Sequence, residues 1–417
     1  ASFAQLSVDS LGISQIITQV VASHPTVKLA EEALNNAEAK IGFARTGYNP
    51  NVDFSTSYTR VGPVSKMSFP GLGEFELNPA NNYSASVKVT QTIYDFGKTA
   101  QSVAYEIESK NLVSQTVEQA KQKLASAVIA NYFAILYLQK AISIKDEQLN
   151  TLNEHLVFVQ KKKATGSTTD YEILTSQVKI TAAESQKSDL ETNLLVQQSV
   201  LSSLIGLPEI SRTIIKEDLN APSVDLPIDS LIAYACSQRD EMKLAQEKDR
   251  VTQSRYKMVK RLDAPYIGVF AEGGIKNGYI PDLNKATPNF AVGVAFKIPI
   301  FDAGREKYNL AQVQSSIQSN NFEMEATRRT ITNEVVESEA NVQLTQKKIG
   351  QFELQLKQAQ KALELAQVSF RNGVITNLDL LDATTTVSEC NLQLLRAKID
   401  YVINSYKLKL ALGERLY

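Results

Sequence analysis

The sequence has no tryptophan, only two cysteines and only two histidines in 417 residues. Cys236 and Cys390 cannot build a disulfide framework, and no CxxC occurs, so their state stays open. His24 and His155 have no Cys or His neighbours at ligand spacing, which leaves no metal site. No GxSxG, P-loop or GxGxxG is present, so no catalytic or cofactor-binding residue is assigned and an enzyme is not expected. Charge of one sign is lacking as well. Lys and Arg number 44 against 45 Asp and Glu, a net charge of −1, and a nucleic-acid partner is not expected. Long apolar runs are missing too. The most apolar stretch, Ala125 to Leu138, is interrupted by Asn131 and falls short of the roughly 20 residues a membrane helix needs. A membrane span would have to be built of strands. The chain starts at Ala1 with neither a charged n-region nor an apolar h-region, read as a secretion signal already removed. Residue 1 is not Cys, so no lipid attachment is expected there.

What the sequence does contain is a duplication. Tyr94-Asp95-Phe96-Gly97-Lys98 recurs 207 positions on as Phe301-Asp302-Ala303-Gly304-Arg305, and Gly166 and Gly206 recur at that offset as Gly373 and Gly413. Upstream, Val27-Lys28-Leu29-Ala30 matches Met242-Lys243-Leu244-Ala245, and Pro50 matches Pro265, both 215 positions apart. The extra eight residues belong in the Gly- and Pro-rich loop 62–82, where insertions are absorbed. The expected organisation is a first repeat, 1–206, a linker, 207–230, and a second repeat, 231–417. Each repeat has a short helix (Ser14 to Thr46; Ile228 to Leu262), a strand pair (50–61 and 82–93; 265–276 and 289–300), a very long helix (98–163; 306–371) and a return helix (170–204; 378–412).

The strand segments alternate. Tyr83, Ala85, Val87, Val89 and Ile93 oppose Ser84, Ser86, Lys88, Thr90 and Thr92. Phe290, Val292, Val294, Phe296, Ile298 and Ile300 oppose Ala291, Gly293, Ala295 and Lys297. Val52, Phe54 and Tyr58 oppose Asp53, Ser55, Ser57 and Thr59, whereas Tyr266 to Ala271 is apolar on both faces and its orientation is open. Period two gives each strand one apolar and one polar or small face. Segments of about 10–12 residues suit a tilted transmembrane strand. Tyr48, Tyr94, Phe96 and Phe301 bracket the strand ends as an interfacial girdle would. Four strands cannot close a barrel, and open edges are not tolerated in lipid. Closure therefore requires more than one chain, and two or three copies would both serve.

The long helices carry a seven-residue repeat: Val128, Ile135, Ile142, Leu149 and Leu156 in the first, and Val335, Val342, Ile349, Leu356, Leu363 and Phe370 in the second. Leu138, Leu152 and Val159 form a second seam. This is coiled-coil spacing. Gly166 and Gly373 mark the reversals. Because the return helices are shorter than their partners, the short helices are expected to continue the stack.

These features resemble the TolC-type outer-membrane factor family over nearly the whole chain. The most specific stretch is Gly373 to Thr386, above all Asp379-Leu380-Leu381-Asp382-Ala383-Thr384-Thr385-Thr386, together with the two strand-to-helix junctions. The resemblance implies a mixed α and β membrane protein. It implies a homotrimer with a 12-stranded β-barrel in outer-membrane lipid, continued by an antiparallel coiled-coil α-barrel in the periplasm, with the linker in a mixed belt. It also implies an exit duct of a tripartite efflux or type I secretion system, whose partners are an inner-membrane pump and a periplasmic adaptor. The adaptor would dock at the tips, 163–169 and 372–376, using Gly166, Thr168, Gly373, Val374 and Thr376. The family's acidic pore ring maps onto Asp379 and Asp382, with Glu172 as the repeat counterpart of Asp379. Phe370 and Ile375 stand where some members place a gating tyrosine and arginine, so those links are in doubt here.

Plainer readings compete. Thr169-x-x-Glu172 and Thr376-x-x-Asp379 have the form of capping boxes. Asp382 lies on nearly the same helix face as Asp379 without that explanation, which favours a pore role. Lys161-Lys162-Lys163 suits a helix C-terminus. A rival from another class is a non-conducting coiled-coil trimer or spacer, which accounts for the heptads but not for amphipathic strand pairs.

Overall fold

The computed structural model describes residues 12–71, 73–206, 215–216, 219, 221–222 and 226–417. Most of the linker expected over 207–230 lies outside them. The chain divides into two compact units. One holds residues 1–32, 115–244 and 324–417, the other 33–114 and 245–323.

The second unit is built on a sheet. β1 (Asn51–Arg60), β4 (Asn81–Tyr94), β5 (Tyr266–Lys276) and β6 (Thr287–Lys297) form one antiparallel sheet in the order β1-β4-β5-β6. β6 stops at Lys297, so Ile298 and Ile300 lie beyond the ladder rather than on it. Pro299 has no N–H to give a neighbouring strand, which accounts for the early end. Ile93 also leaves the regular alternation. A bulge between Thr92 and Tyr94 makes it the extra residue and turns Tyr94 onto the face of Ile267. The loop 62–82 is not all irregular, because β2 (Lys66–Phe69) and β3 (Gly73–Glu76) form a hairpin inside it.

The long helices are α3 (Lys98–Ala164) and α7 (Arg305–Arg371), each of 67 residues. At about 1.5 Å per residue each is roughly 100 Å long. The return helices are α4 (Asp170–Ile205) and α8 (Asn377–Ala411). Each short helix is two helices. α1 (Ile13–Ser23) breaks before α2 (Pro25–Arg45), and α5 (Ile228–Gln238) before α6 (Asp240–Val259). Pro25 forces the residue before it out of the helical region, and His24 sits at ψ 135°. Arg239 makes the same break at ψ 136° without a proline.

In the first unit the core collects α1, α3, α4 and α8 around Ile16, Val20, Tyr132, Phe133, Leu201 and Val402. The stretch around Ala125 to Leu138 lies within this core. α3 does contain a window long and apolar enough to cross a membrane, but half of it is buried inside the protein. A smaller core packs Leu231 and Ala235 of α5 against Ile331, Val335 and Leu408. The second seam of α3 is buried at Leu138, Leu152 and Val159. Its missing heptad position is filled by Lys145, only 3% exposed, whose Nζ donates to Gln148 Oε1 at 2.9 Å. Both cysteines are free thiols, and burial followed by the charge of Glu389 pushes the Cys390 thiol up.

Candidate functional site: the strand face and the hairpin turns

The register sorts the paired residues of the four-stranded sheet onto two faces. Val52, Phe54 and Tyr58 lie opposite Val89, Val87 and Tyr83. Val89 and Val87 lie opposite Ala271 and Gly273, which in turn face Val292 and Phe290. Directly opposed residues share a face, so Ile267, Val269, Ala271, Gly273 and Ile275 belong with the apolar set, and the open orientation of this strand is resolved. On β6 the outer side chains are almost bare, with Phe290 84% and Val292 75% exposed.

The other face is small and polar. Ser57 Oγ and Ser84 Oγ are 2.8 Å apart, and Lys88 Nζ lies 5.7 Å from the Phe270 ring centre. Gly293 faces that ring: a Cβ there would approach Phe270 to 2.7 Å. Gly274 is needed more strictly, because a Cβ would come within 2.2 Å of the Ala85 carbonyl oxygen. A strand of 10 residues rises about 33 Å, which at a tilt of about 40° covers the roughly 25 Å apolar band of an outer-membrane barrel. Within the sheet, β1 and β6 each leave one edge unpaired.

Below the strands, Asp95 and Asp302 cap the long helices. Asp95 accepts from the N–H groups of Gly97 (3.0 Å) and Thr99 (2.7 Å), Asp302 from those of Gly304 and Glu306 (both 2.8 Å). To bring these donors round, two consecutive residues turn left-handed: Phe96 and Gly97 at φ 52° and 87°, Ala303 and Gly304 at 57° and 80°. The donated bonds hold the Asp302 carboxyl below the usual carboxylate range. Those on Asp95 do the same against the opposing effect of its partial burial. Of the girdle residues, Tyr48, Tyr94, Phe96 and Phe301 are all exposed.

In the first unit the hairpin turns close in the same way. Gly166 and Gly373 both stand at φ 75°, and the next residue donates back five positions, Ser167 to the Lys162 carbonyl and Val374 to that of Ser369, each at 2.9 Å. This is the Schellman closure, which needs a left-handed residue. Val374 is 74% exposed, and Thr168 donates its hydroxyl to Glu172.

The carboxylates have separate employments. Asp379 closes a true capping box with Thr376: its Oδ2 accepts from Thr376 N at 2.9 Å and from Thr376 Oγ1 at 2.6 Å, and these bonds hold its carboxyl low. The matching box at Thr169 does not form. Thr169 makes no capping bond, and the longer arm of Glu172 reaches past it to Thr168. Asp382, which caps nothing, receives Lys179 Nζ of α4 at 2.8 Å. Lys163 pairs with Asp170 across the first turn, and Lys162 Nζ lies 4.7 Å from the Phe370 ring centre. Phe370 is 5% exposed and has no hydroxyl to offer, and Ile375 is half-buried with no charge.

Sequence reasoning missed Asn377. It is buried and donates to the Glu172 carbonyl, Thr175 Oγ1 and Ser176 Oγ, while its own Oδ1 meets His155 Nε2. One side chain thus ties the starts of α4 and α8 to α3. An Asn directly after a capping Thr was its only signal.

A sheet that turns one apolar face outward and leaves both edges open, in a chain otherwise made of helical hairpins, defines a strand-spanning outer-membrane protein. The chain belongs to the outer membrane efflux protein family, whose model matches residues 16–207 and 231–414. It is 23% identical to the outer membrane protein TolC of Escherichia coli over 437 aligned residues, covering 99% of this chain and 84% of that one. It is 22% identical to the alkaline protease secretion protein AprF of Pseudomonas aeruginosa over 346, covering 80% and 70%. The crystal structure of the outer membrane protein VceC from Vibrio cholerae superposes with a TM-score of 0.78 at 17% identity, covering 97% of each chain. The protein is an outer-membrane exit channel for efflux or secretion.

Proposed function

We propose that three copies of this chain assemble into one duct, each contributing four strands to a 12-stranded barrel and four long helices to a periplasmic tunnel, with 1–206 and 231–417 as copies of one unit. The observation that supports this best is the sheet: its apolar face needs lipid and its two open edges need neighbours. Twelve strands leave an aqueous lumen, whereas eight would be filled by their own side chains. Cargo passes passively from an inner-membrane pump through a periplasmic adaptor. The adaptor meets the turns at Gly166, Thr168, Gly373, Val374 and Thr376. Asp379 and Asp382, with Glu172 nearby, give the narrow end a cation preference.

Two measurements test the assembly together. Native mass spectrometry in detergent is expected to give a trimer, and that trimer is expected to conduct in planar bilayers. A folded monomer would refute the barrel, and a trimer without conductance would favour the spacer.

A further inference from the structure

A cationic belt lies where the helices of the second unit meet the strand ends. Next to β1 and β4, the C-terminal end of α2 and the N-terminal end of α3 enclose a groove of about 560 Å³. Its polar lining is Lys40, Thr46, Lys98, Thr99, Ser102 and Glu106, and beside them stands Phe43, 80% exposed. The walls approach closely, since a Cβ on Gly47 would lie 3.0 Å from Thr99 Oγ1. Lys40 and Lys98 are exposed and form no ion pair among the described residues. The neighbouring Glu38 is already held by Lys110 and Asp95 is spent on its cap, which leaves Glu106 as the one carboxylate of the lining against the two lysines.

The corresponding place in the second half is more basic still. Arg255 and Lys257 lie near the end of α6, Lys260 and Arg261 in the turn that follows it, and Arg305 and Lys307 start α7, all exposed. The two ends converge: Lys248 pairs with Glu323 and Thr252 meets Asn320, so rising numbers on α6 run against falling numbers on α7. Local acids are Asp263, Glu306 and Asp302, and Asp302 is itself a cap. A chain of net charge −1 has no general surplus of cations to explain this.

Helix dipoles do not explain it either. Cations suit helix C-termini, and Arg45 and Lys257, in the last turns of α2 and α6, fit that rule. Lys98, Arg305 and Lys307 stand at helix N-termini, where the dipole disfavours them. Their placement answers to something outside the protein. Just beyond them the exposed rings of Tyr48, Tyr94 and Phe301 and the apolar sheet face begin.

We infer that this belt binds the headgroups of anionic phospholipids. The phosphate sits against Lys40 and Lys98, which line the same groove, and the acyl chains run up the apolar strand face. Juxtamembrane cations attract such lipids, and long basic side chains lay their stems along apolar surface while the charge stays in water. The inference rests on the outer-membrane reading above, because only a bilayer at the strands puts headgroups at this level.

The test uses the purified full-length assembly in neutral detergent. Native mass spectrometry would compare phosphatidylglycerol with phosphatidylcholine of the same chains. The samples are wild type, Lys40→Gln/Lys98→Gln, Lys40→Arg/Lys98→Arg and, as a control elsewhere, Lys347→Gln/Lys357→Gln. Wild type is expected to prefer phosphatidylglycerol, and each lost lysine to weaken that binding about fivefold. The arginine pair and the control pair should keep it. Displacement of the lipid by millimolar inorganic phosphate would assign the site to free phosphate and overturn the lipid inference. Conductance of the same samples in zwitterionic bilayers separates the two readings. A conducting channel with no preference among the lipids refutes the belt alone. Loss of conductance in wild type refutes the exit channel.

Discussion

Val292 and Ala291 are adjacent on β6 and point to opposite faces, so one substitution at each position isolates the side facing lipid. Val292 is the sixth of the 11 residues of β6, which puts it near the bilayer midplane, and it is 75% exposed in the single chain. Val292→Arg places a guanidinium in hydrocarbon at a cost of about 2–4 kcal/mol per chain, or about 6–12 kcal/mol for a trimer. Ala291→Arg has the opposite surroundings. Ala291 lies opposite Glu272, and Glu272 lies opposite Lys88, all on the polar face. A cation there gains an opposed carboxylate, worth about 0.2–1 kcal/mol. The assay is denaturant unfolding of the protein refolded into phospholipid vesicles, backed by the temperature at which the oligomer dissociates in detergent. Val292→Arg is expected to lower stability sharply or prevent insertion, and Ala291→Arg to leave both near wild type. Equal tolerance at the two positions, or greater damage from Ala291→Arg, would refute the assignment of faces.

The remaining expectations concern the helices. Asp382→Asn should weaken cation selectivity, measured as reversal potential under a salt gradient, while Lys179→Gln should strengthen it by freeing Asp382 from its 2.8 Å partner. Unchanged potentials in both would remove these residues from the pore. Asp95→Ala should cost about 1 kcal/mol as a lost helix cap, read by thermal melting. The Asp95 and Asp302 carboxyls are held low in the fold, so their stabilisation is complete above the ordinary carboxylate range and is lost as pH falls below it. A wild type whose melting temperature does not fall under acid more than that of the double Asn variant would contradict this. Burial also lowers the Lys145 ammonium pKa, against the charge of Glu389, so Lys145→Met should raise stability, and the wild type should gain as pH climbs toward the ordinary lysine range. A destabilised Met variant would mean that the ammonium has a partner worth more than its burial costs.

How much of this was legible in the sequence depended on whether a feature is local and periodic. Alternation fixes a strand's two faces whatever it pairs with, and glycine at a left-handed turn leaves the same mark in both halves, so β1, β4, β6, Gly166 and Gly373 could be read directly. β5 could not, because apolar residues occupy both its faces. Only its pairing shows that Phe270 lies among polar residues, where it is accommodated by Gly293 and Lys88. The break at Arg239 was invisible for a similar reason. Pro25 announces its own break, whereas Arg239 is held extended at a place where its guanidinium meets Glu241 and Glu334, partners from two different helices. The carboxylates make the point most sharply. Asp379 and Asp382 are three residues apart and alike in the sequence, yet one spends its charge on its own backbone and the other on a lysine of α4. Spacing gives the face a residue occupies, and only the opposing helix decides how much of its charge is left free. The cap leaves Asp379 an anion pointed at its own helix start, and Lys179 offsets Asp382 within the same chain. If three copies line a pore as proposed, its cation preference should be weaker than six free carboxylates would give, and Lys179 should be the residue that sets it.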